Sequence, residues 1–179
     1  MPARGQAKKL DAESLWEYAL KALGQRAHSA GELRQKLARR AASPADVQNA
    51  MAKLQEYGLT DDDKFSEAFA STRLQNQGFG KFRILRDLRS KRVAPAIANT
   101  AIAKTFAGTD EHELVQRFLD RKFRGKNLSE FLKEPKNLAS AYRRLRTAGF
   151  SSSGSLAVLR RYTSSADEWN EPEDDESAT

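Results

Sequence analysis

Residues 37–69, LARRAASPADVQNAMAKLQEYGLTDDDKFSEAF, hold one helix with both ends written out and the start of the next. Ser43 can accept a hydrogen bond from a first-turn N–H, Pro44 suits the first helical position, and Asp46 places negative charge at the positive end of the helix dipole. Val47, Ala50, Met51 and Leu54 fall at i, i+3, i+4 and i+7, which is one apolar face. Gly58 supplies a residue that can turn left-handed to end the helix, and Thr60-Asp61-Asp62-Asp63 opens another with acidic charge. The short connection between them makes the two helices packed neighbours.

Outward from this stretch the same pattern recurs. Before it, Trp16, Ala19, Leu20 and Leu23 make the apolar stripe of a helix over residues 12–24. Ser29 and Glu32 have the spacing of a capping box at the head of a helix carrying Leu33 and Leu37. After it come a helix striped by Phe65, Ala68, Phe69 and Thr72, a second over residues 81–92, and a third from Pro95 to about residue 106. A shift of 51 residues lays Leu33 on Ile84, Leu37 on Leu88, Pro44 on Pro95, and residues 50–53 (AMAK) on residues 101–104 (AIAK). Such an ungapped register marks an internal repeat. A looser third copy has one helix bearing Leu114, Val115, Phe118 and Leu119, one from Pro135 to Gly149, and one capped by residues 151–153.

No stretch alternates with period two over the length of a strand, so the expected fold is all-α: an elongated array of three tandem three-helix repeats with no sheet. The expected divisions are a disordered basic N-terminus (1–10), repeats at 11–59, 60–108 and 109–165, and a disordered acidic tail (166–179). The third repeat carries an insertion near 125–134, with a short helical turn over residues 128–132.

Composition narrows the function. The 179 residues include no cysteine, which excludes disulfides, thiolate metal sites and thiol nucleophiles. The mean hydropathy of -0.71 comes without any apolar run near the roughly 20 residues of a membrane span. The expectation is a cytoplasmic protein with no membrane association. The net charge of +7 conceals a split. Residues 166–179 hold seven of the 24 acidic residues and no basic one, so residues 1–165 carry 31 basic against 17 acidic, a net of +14. A body that basic predicts an acidic partner, either nucleic acid or an acidic protein surface. For the tail two readings stand, a solubilising end or a segment that folds back on the basic face and competes with nucleic acid.

Several blocks of this chain resemble the RecX regulatory proteins. They are Gly58-Leu59-Thr60-Asp61-Asp62 followed by Phe65, Phe69 and Arg73; Gly80-Lys81-Phe82-Arg83-Ile84 through Lys91-Arg92-Val93; Ser29-Ala30-Gly31-Glu32-Leu33; and residues 143–150, RRLRTAGF. The resemblance covers roughly residues 12–162. Where the family usually has Gly before the aliphatic residue closing the second helix, this chain has Arg92 before Val93 and Ala41 before Ala42, and Asp87 stands where Glu is more usual. The resemblance implies a non-enzymatic modulator of the RecA recombinase. Such a protein works in DNA repair, recombination and the SOS response, binds along the RecA–DNA filament, and inhibits recombinase, ATPase and co-protease activities.

The residues themselves offer one constellation with functional promise. The second helix of each repeat carries excess basic charge: Arg34, Arg39 and Arg40 in the first; Lys81, Arg83, Arg86, Arg89, Lys91 and Arg92 in the second; Arg143, Arg144 and Arg146 in the third, with Arg73 on the preceding helix of the second. Arg83 and Arg86 lie away from Leu85 and Leu88, a stripe that could follow a phosphate backbone, although charged helix faces are usually just solvated. The expected partners are the RecA filament and single- and double-stranded DNA bound without sequence preference, contacted by a monomer. A DNA-binding protein acting without RecA, or a scaffold for another acidic partner, are the alternatives. No catalytic residue, metal or cofactor is expected. Asp61, Asp62 and Asp63 read as helix-capping carboxylates, His28 and His112 as surface or capping residues, and Trp16, Phe65, Phe69, Phe118 and Tyr142 as core anchors.

Overall fold

Local capping chemistry sets most helix boundaries. The computed structural model describes residues 9–163, so the acidic tail and residues 1–8 lie outside the described residues. Helix α1 (Ala12–Gln25) starts from Asp11, whose carboxylate accepts from Ser14 N. Ser29 caps α2 (Ala30–Ala38) by accepting from Glu32 N. Ser43 caps α3 (Pro44–Glu56) by accepting from Asp46 N, with Pro44 in the first turn. Then follow α4 (Asp62–Thr72), a π-helical turn (Arg73–Gln77), α5 (Lys81–Ser90) and α6 (Pro95–Thr105). Helix α7 (Glu111–Lys122) is capped by Asp110, and the short α8 (Leu128–Phe131) by Asn127. Helix α9 (Pro135–Ala148) ends at Gly149, and α10 (Ser152–Leu159) is capped by Ser151. Every regular element among the described residues is a helix.

The first ten residues are not all outside the fold. Leu10 forms a single parallel bridge with Ala41: Leu10 N donates to Arg40 O and Ala42 N to Leu10 O, both at 2.8 Å. Leu10, expected within the disordered N-terminus, is therefore tied to the fold. Lys9 Nζ also reaches Arg39 O at 3.2 Å.

The chain divides into two compact units. One joins the residues through Phe69 to Leu88–Ala101, and the other joins Ala70–Asp87 to the residues from Ile102 on. Each unit thus combines an outer set of helices with part of the middle set, because a three-helix unit alone buries too little apolar surface.

In the first unit, Leu15, Ala19 and Ala22 of α1, Leu33 and Leu37 of α2, and Val47, Ala50, Met51 and Leu54 of α3 form the core. The apolar face read for α3 is therefore the face that packs. For α1 the expected stripe is displaced: Leu15 is fully buried while Leu20 is 41% exposed. Trp16 and Leu23 only flank the core. Helix α4 departs similarly. Ser66 and Ala70 are its fully buried residues, whereas Ala68 and Thr72 are exposed and Phe65 and Phe69 stack half-buried at 6.0 Å. Small side chains let a helix approach its neighbours closely, and that advantage overrides the more hydrophobic stripe. Of the expected aromatic anchors only Phe118 is buried; Trp16, Phe65, Phe69 and Tyr142 are half-buried.

In the second unit, Val115, Phe118 and Leu119 of α7 meet Leu138, Ala141 and Leu145 of α9 and Val158 and Leu159 of α10, with Phe150 fully buried among them. Glu111 ties α7 to the cap of α10. Its carboxylate accepts from Ser151 N at 2.8 Å and Ser151 Oγ at 2.6 Å.

Helix ends meet in both units. In the second, Gly80 N donates to Ala148 O at 2.9 Å and Phe82 N to Gly149 O at 3.1 Å, so free N–H groups at the head of α5 satisfy carbonyls at the tail of α9. Gly149 has φ +90, and a Cβ there would strike the Arg83 backbone. In the first unit, Ser29 Oγ donates to Lys91 O, Asp62 Oδ1 accepts from Ala30 N at 2.7 Å, and Gly31 lies against Arg92. Arg92 is the one non-glycine at positive φ among the described residues, +60, at the position equivalent to Gly149.

Backbone handedness and crowding can be separated by substitution. Gly58 also has positive φ but open space around it, so Gly58→Ala should cost about 1 kcal/mol. Gly149→Ala should cost about 3 kcal/mol or more, because the clash adds to the strain. Arg92→Gly should stabilise by up to about 1 kcal/mol. Urea unfolding midpoints measure all three.

Candidate nucleic-acid interface

The structure sorts the thirteen basic residues by what already holds them. In the first unit, Lys91 Nζ pairs with Glu32 at 3.1 Å and stands 5.5 Å from the Phe69 ring centre. Arg40 covers the Tyr18 ring at 5.5 Å. Arg92 turns the chain, and Arg34 and Arg39 are exposed on α2 and just past it. Arg89 is exposed and engaged by another group.

In the second unit, Arg146 donates to Phe150 O at 2.8 Å and so closes the end of α9. Arg83 pairs through Nε with Asp87 at 3.1 Å and stacks over Phe79 at 5.3 Å. Arg86 reaches Thr147 O at 3.5 Å, Lys81 lies 4.8 Å from the Phe82 ring, and Arg73 sits half-buried in the π-helical turn with a partner of its own. Arg143 and Arg144 make no ion pair with a described residue. The free stripe expected along α5 is thus a set of partly committed cations, because Asp87 lies one turn along the same helix from Arg83 and Glu32 comes within reach of Lys91 when the helices pack.

Three of these residues do converge. Arg83, Arg143 and Arg144 line one cavity of about 370 Å3 in the second unit, joined by Lys122 at the end of α7. No acidic side chain lines it. Nothing in the sequence singles out Lys122 as a site residue, because it belongs to another helix of the repeat. Its neighbours on α9 are partly legible: Ser140, Arg143, Arg144 and Thr147 are spaced i, i+3, i+4 and i+7, one helical face.

The acidic run has a structural role. Asp61 Oδ1 accepts from Lys64 N at 2.9 Å, and that bond, with the Lys64 side chain beside it, holds the Asp61 carboxyl below the usual range. Among the described residues no group of His, Cys, Asp and Glu could hold a metal ion, and no helix is long and apolar enough to cross a membrane. Glu32 is not the return arm of a capping box. Burial pushes its carboxyl up, but hydrogen bonds and charges from Arg26 and Lys91 outweigh this and leave it lowered.

The models of the first and second three-helix domains of RecX match residues 16–54 and 61–102. Regulatory protein RecX of Deinococcus radiodurans is 30% identical over 159 residues, covering 89% of this chain and 73% of that protein. The chain belongs to the RecX family. Regulatory protein RecX of Halorhodospira halophila is 37% identical over 90 residues, 50% of this chain and 55% of that protein, so the chain spans little more than half of that RecX. A crystal structure of RecX from Lactobacillus salivarius shares the fold, with TM-score 0.63 and 17% identity over 84% of this chain and 96% of that one. A second crystal structure, of a regulatory protein RecX, has TM-score 0.68 and 20% identity over 83% and 73%.

One histidine of this RecX-family chain departs from its expected surface role. His28 is 6% exposed and neither ring nitrogen meets hydrogen-bond geometry with a described residue, with Glu32 3.8 Å from Nδ1. Burial, then the Arg26 and Lys36 charges, lowers its pKa from 6.5. A group with a depressed folded value stabilises fully above the unfolded value and loses that stability as pH falls. The unfolding midpoint should therefore drop between about pH 7 and pH 5, and His28→Leu should flatten that drop. Thermal unfolding across this range checks it.

Proposed function

We propose that this RecX-family chain is a non-enzymatic regulator that binds RecA–DNA nucleoprotein filaments and inhibits RecA's recombinase, ATPase and co-protease activities. It acts as a monomer in the cytoplasm. Family membership carries this reading: the relatives matched over most of their length are named regulatory protein RecX. The basic side chains suit a filament whose DNA phosphates repeat along its groove, and contacts to phosphate rather than to base edges make the binding independent of sequence. Arg34 and Arg39 in the first unit, and Arg83, Arg143 and Arg144 in the second, are the surfaces offered to it.

A second reading, sequence-independent DNA binding without RecA, is favoured by the cavity free of acidic groups, which would attract any polyanion. The two separate in a RecA ATPase assay on single-stranded DNA. Filament binding predicts inhibition well below one molecule per RecA. Inhibition that appears only once the DNA itself is saturated supports the second reading.

A further inference from the structure

The cavity between α5, α7 and α9 is a concentration of positive charge that the fold leaves unbalanced. Of its four cations only Arg83 has a carboxylate, Asp87; Lys122, Arg143 and Arg144 pair with no described residue. Holding like charges around one recess is unfavourable, and an anion seated among them relieves the repulsion. The two arginines come from adjacent positions on α9, so two planar donor forks serve one site, a geometry that suits phosphate oxygens better than single ammonium groups do. Ser140 adds a hydroxyl one turn away, whereas the Thr147 hydroxyl is already donated to Arg143 O at 2.8 Å.

The remaining wall is apolar. Phe79 and Phe118 line the recess, with the Arg83 guanidinium stacked on Phe79. A volume of about 370 Å3 exceeds what a lone phosphate needs and falls in the range of about 300–1,000 Å3 that takes small organic ligands. Charge on one side and aromatic carbon on the other is the combination that holds a nucleic-acid strand, phosphate to cation and sugar or base to ring. The carboxylates of an acidic protein surface would use the charge and leave the aromatic wall uncovered.

We infer that this cavity is a nucleotide-sized docking site for a nucleic-acid strand, with Arg143, Arg144 and Lys122 taking a backbone phosphodiester and the half-buried Phe79 facing its sugar or base. This deepens the reading of the chain as a filament regulator and rests on it for the setting, but the site needs no RecA to bind DNA.

The test therefore measures DNA binding alone, with a fluorescent oligo(dT) strand and the full chain across a salt series. Arg143→Ala/Arg144→Ala should weaken affinity about tenfold at low salt and flatten the log–log salt slope by about 0.7, the value for the one phosphate contact the pair shares. Lys122→Ala, one exposed residue on a different helix that shares this phosphate, should weaken affinity in the same direction and flatten the slope by less than about 0.7. Lys64→Ala/Lys133→Ala removes the same charge as the arginine pair from exposed sites elsewhere and should change neither slope nor affinity comparably. Equal effects of the two double variants would overturn the proposal, since general charge would then account for binding. RecA ATPase inhibition, measured in parallel, separates the two levels. Oligonucleotide affinity unaltered by the cavity variants while inhibition is lost would assign the cavity to RecA protein and overturn the docking site alone. A wild-type chain that binds oligo(dT) through the cavity yet leaves RecA untouched supports the site and removes the filament reading.

Discussion

The meeting of one helix's head with another's tail is the constraint on which the rest of this structure depends. A helix leaves its first N–H groups and last carbonyls without partners, and burying them unpaired is costly. At residues 80–82 and 148–149 the two deficits cancel, N–H groups at the head of α5 meeting carbonyls at the tail of α9. The dipoles of the two helices also meet with opposite ends. Such an approach tolerates no side chain at the contact, which explains Gly80 and Gly149 together. In the first unit the corresponding contact is made with a serine hydroxyl, an aspartate and Gly31, and it holds Arg92 in a left-handed conformation that glycine would adopt without strain.

That junction also decides which charges are available. Glu32, drawn to the end of α5, captures Lys91, and Arg146 bends back to the carbonyl of Phe150. Both cations are part of the fold's own fastening. Arg143 and Arg144 sit on the face of α9 that looks onto the cavity shared with α7 and α5, and nothing acidic lines that cavity. The same helix thus uses one arginine to close its end and leaves two without an ion pair to a described residue.

Features that depend on neighbours within about four residues are legible in the sequence alone. Ser29, Ser43 and Ser151 cap the helices assigned to them, Pro44, Pro95 and Pro135 begin helices, and Gly58 and Gly149 end them left-handed. The 51-residue register is equally sound: Leu33 and Ile84, and Leu37 and Leu88, are all fully buried. Periodicity misleads where the choice between two faces is close. On α1 and α4 the larger apolar residues point to one stripe, and packing against other helices selects the neighbouring one. His28 lies in a short polar connection that points to the surface, yet it is only 6% exposed, because burial depends on what the tertiary fold brings around a turn.

The sequence by itself determined the helices, their caps, the repeat and the basic balance, because these rest on backbone hydrogen bonding, apolar periodicity and simple charge counting. Only the tertiary structure decided which cations are free, since an ion pair such as Glu32–Lys91 joins residues 59 positions apart. It alone brought Lys122 to Arg143 and Arg144, because a cavity is a property of three helices and no single one of them encodes it.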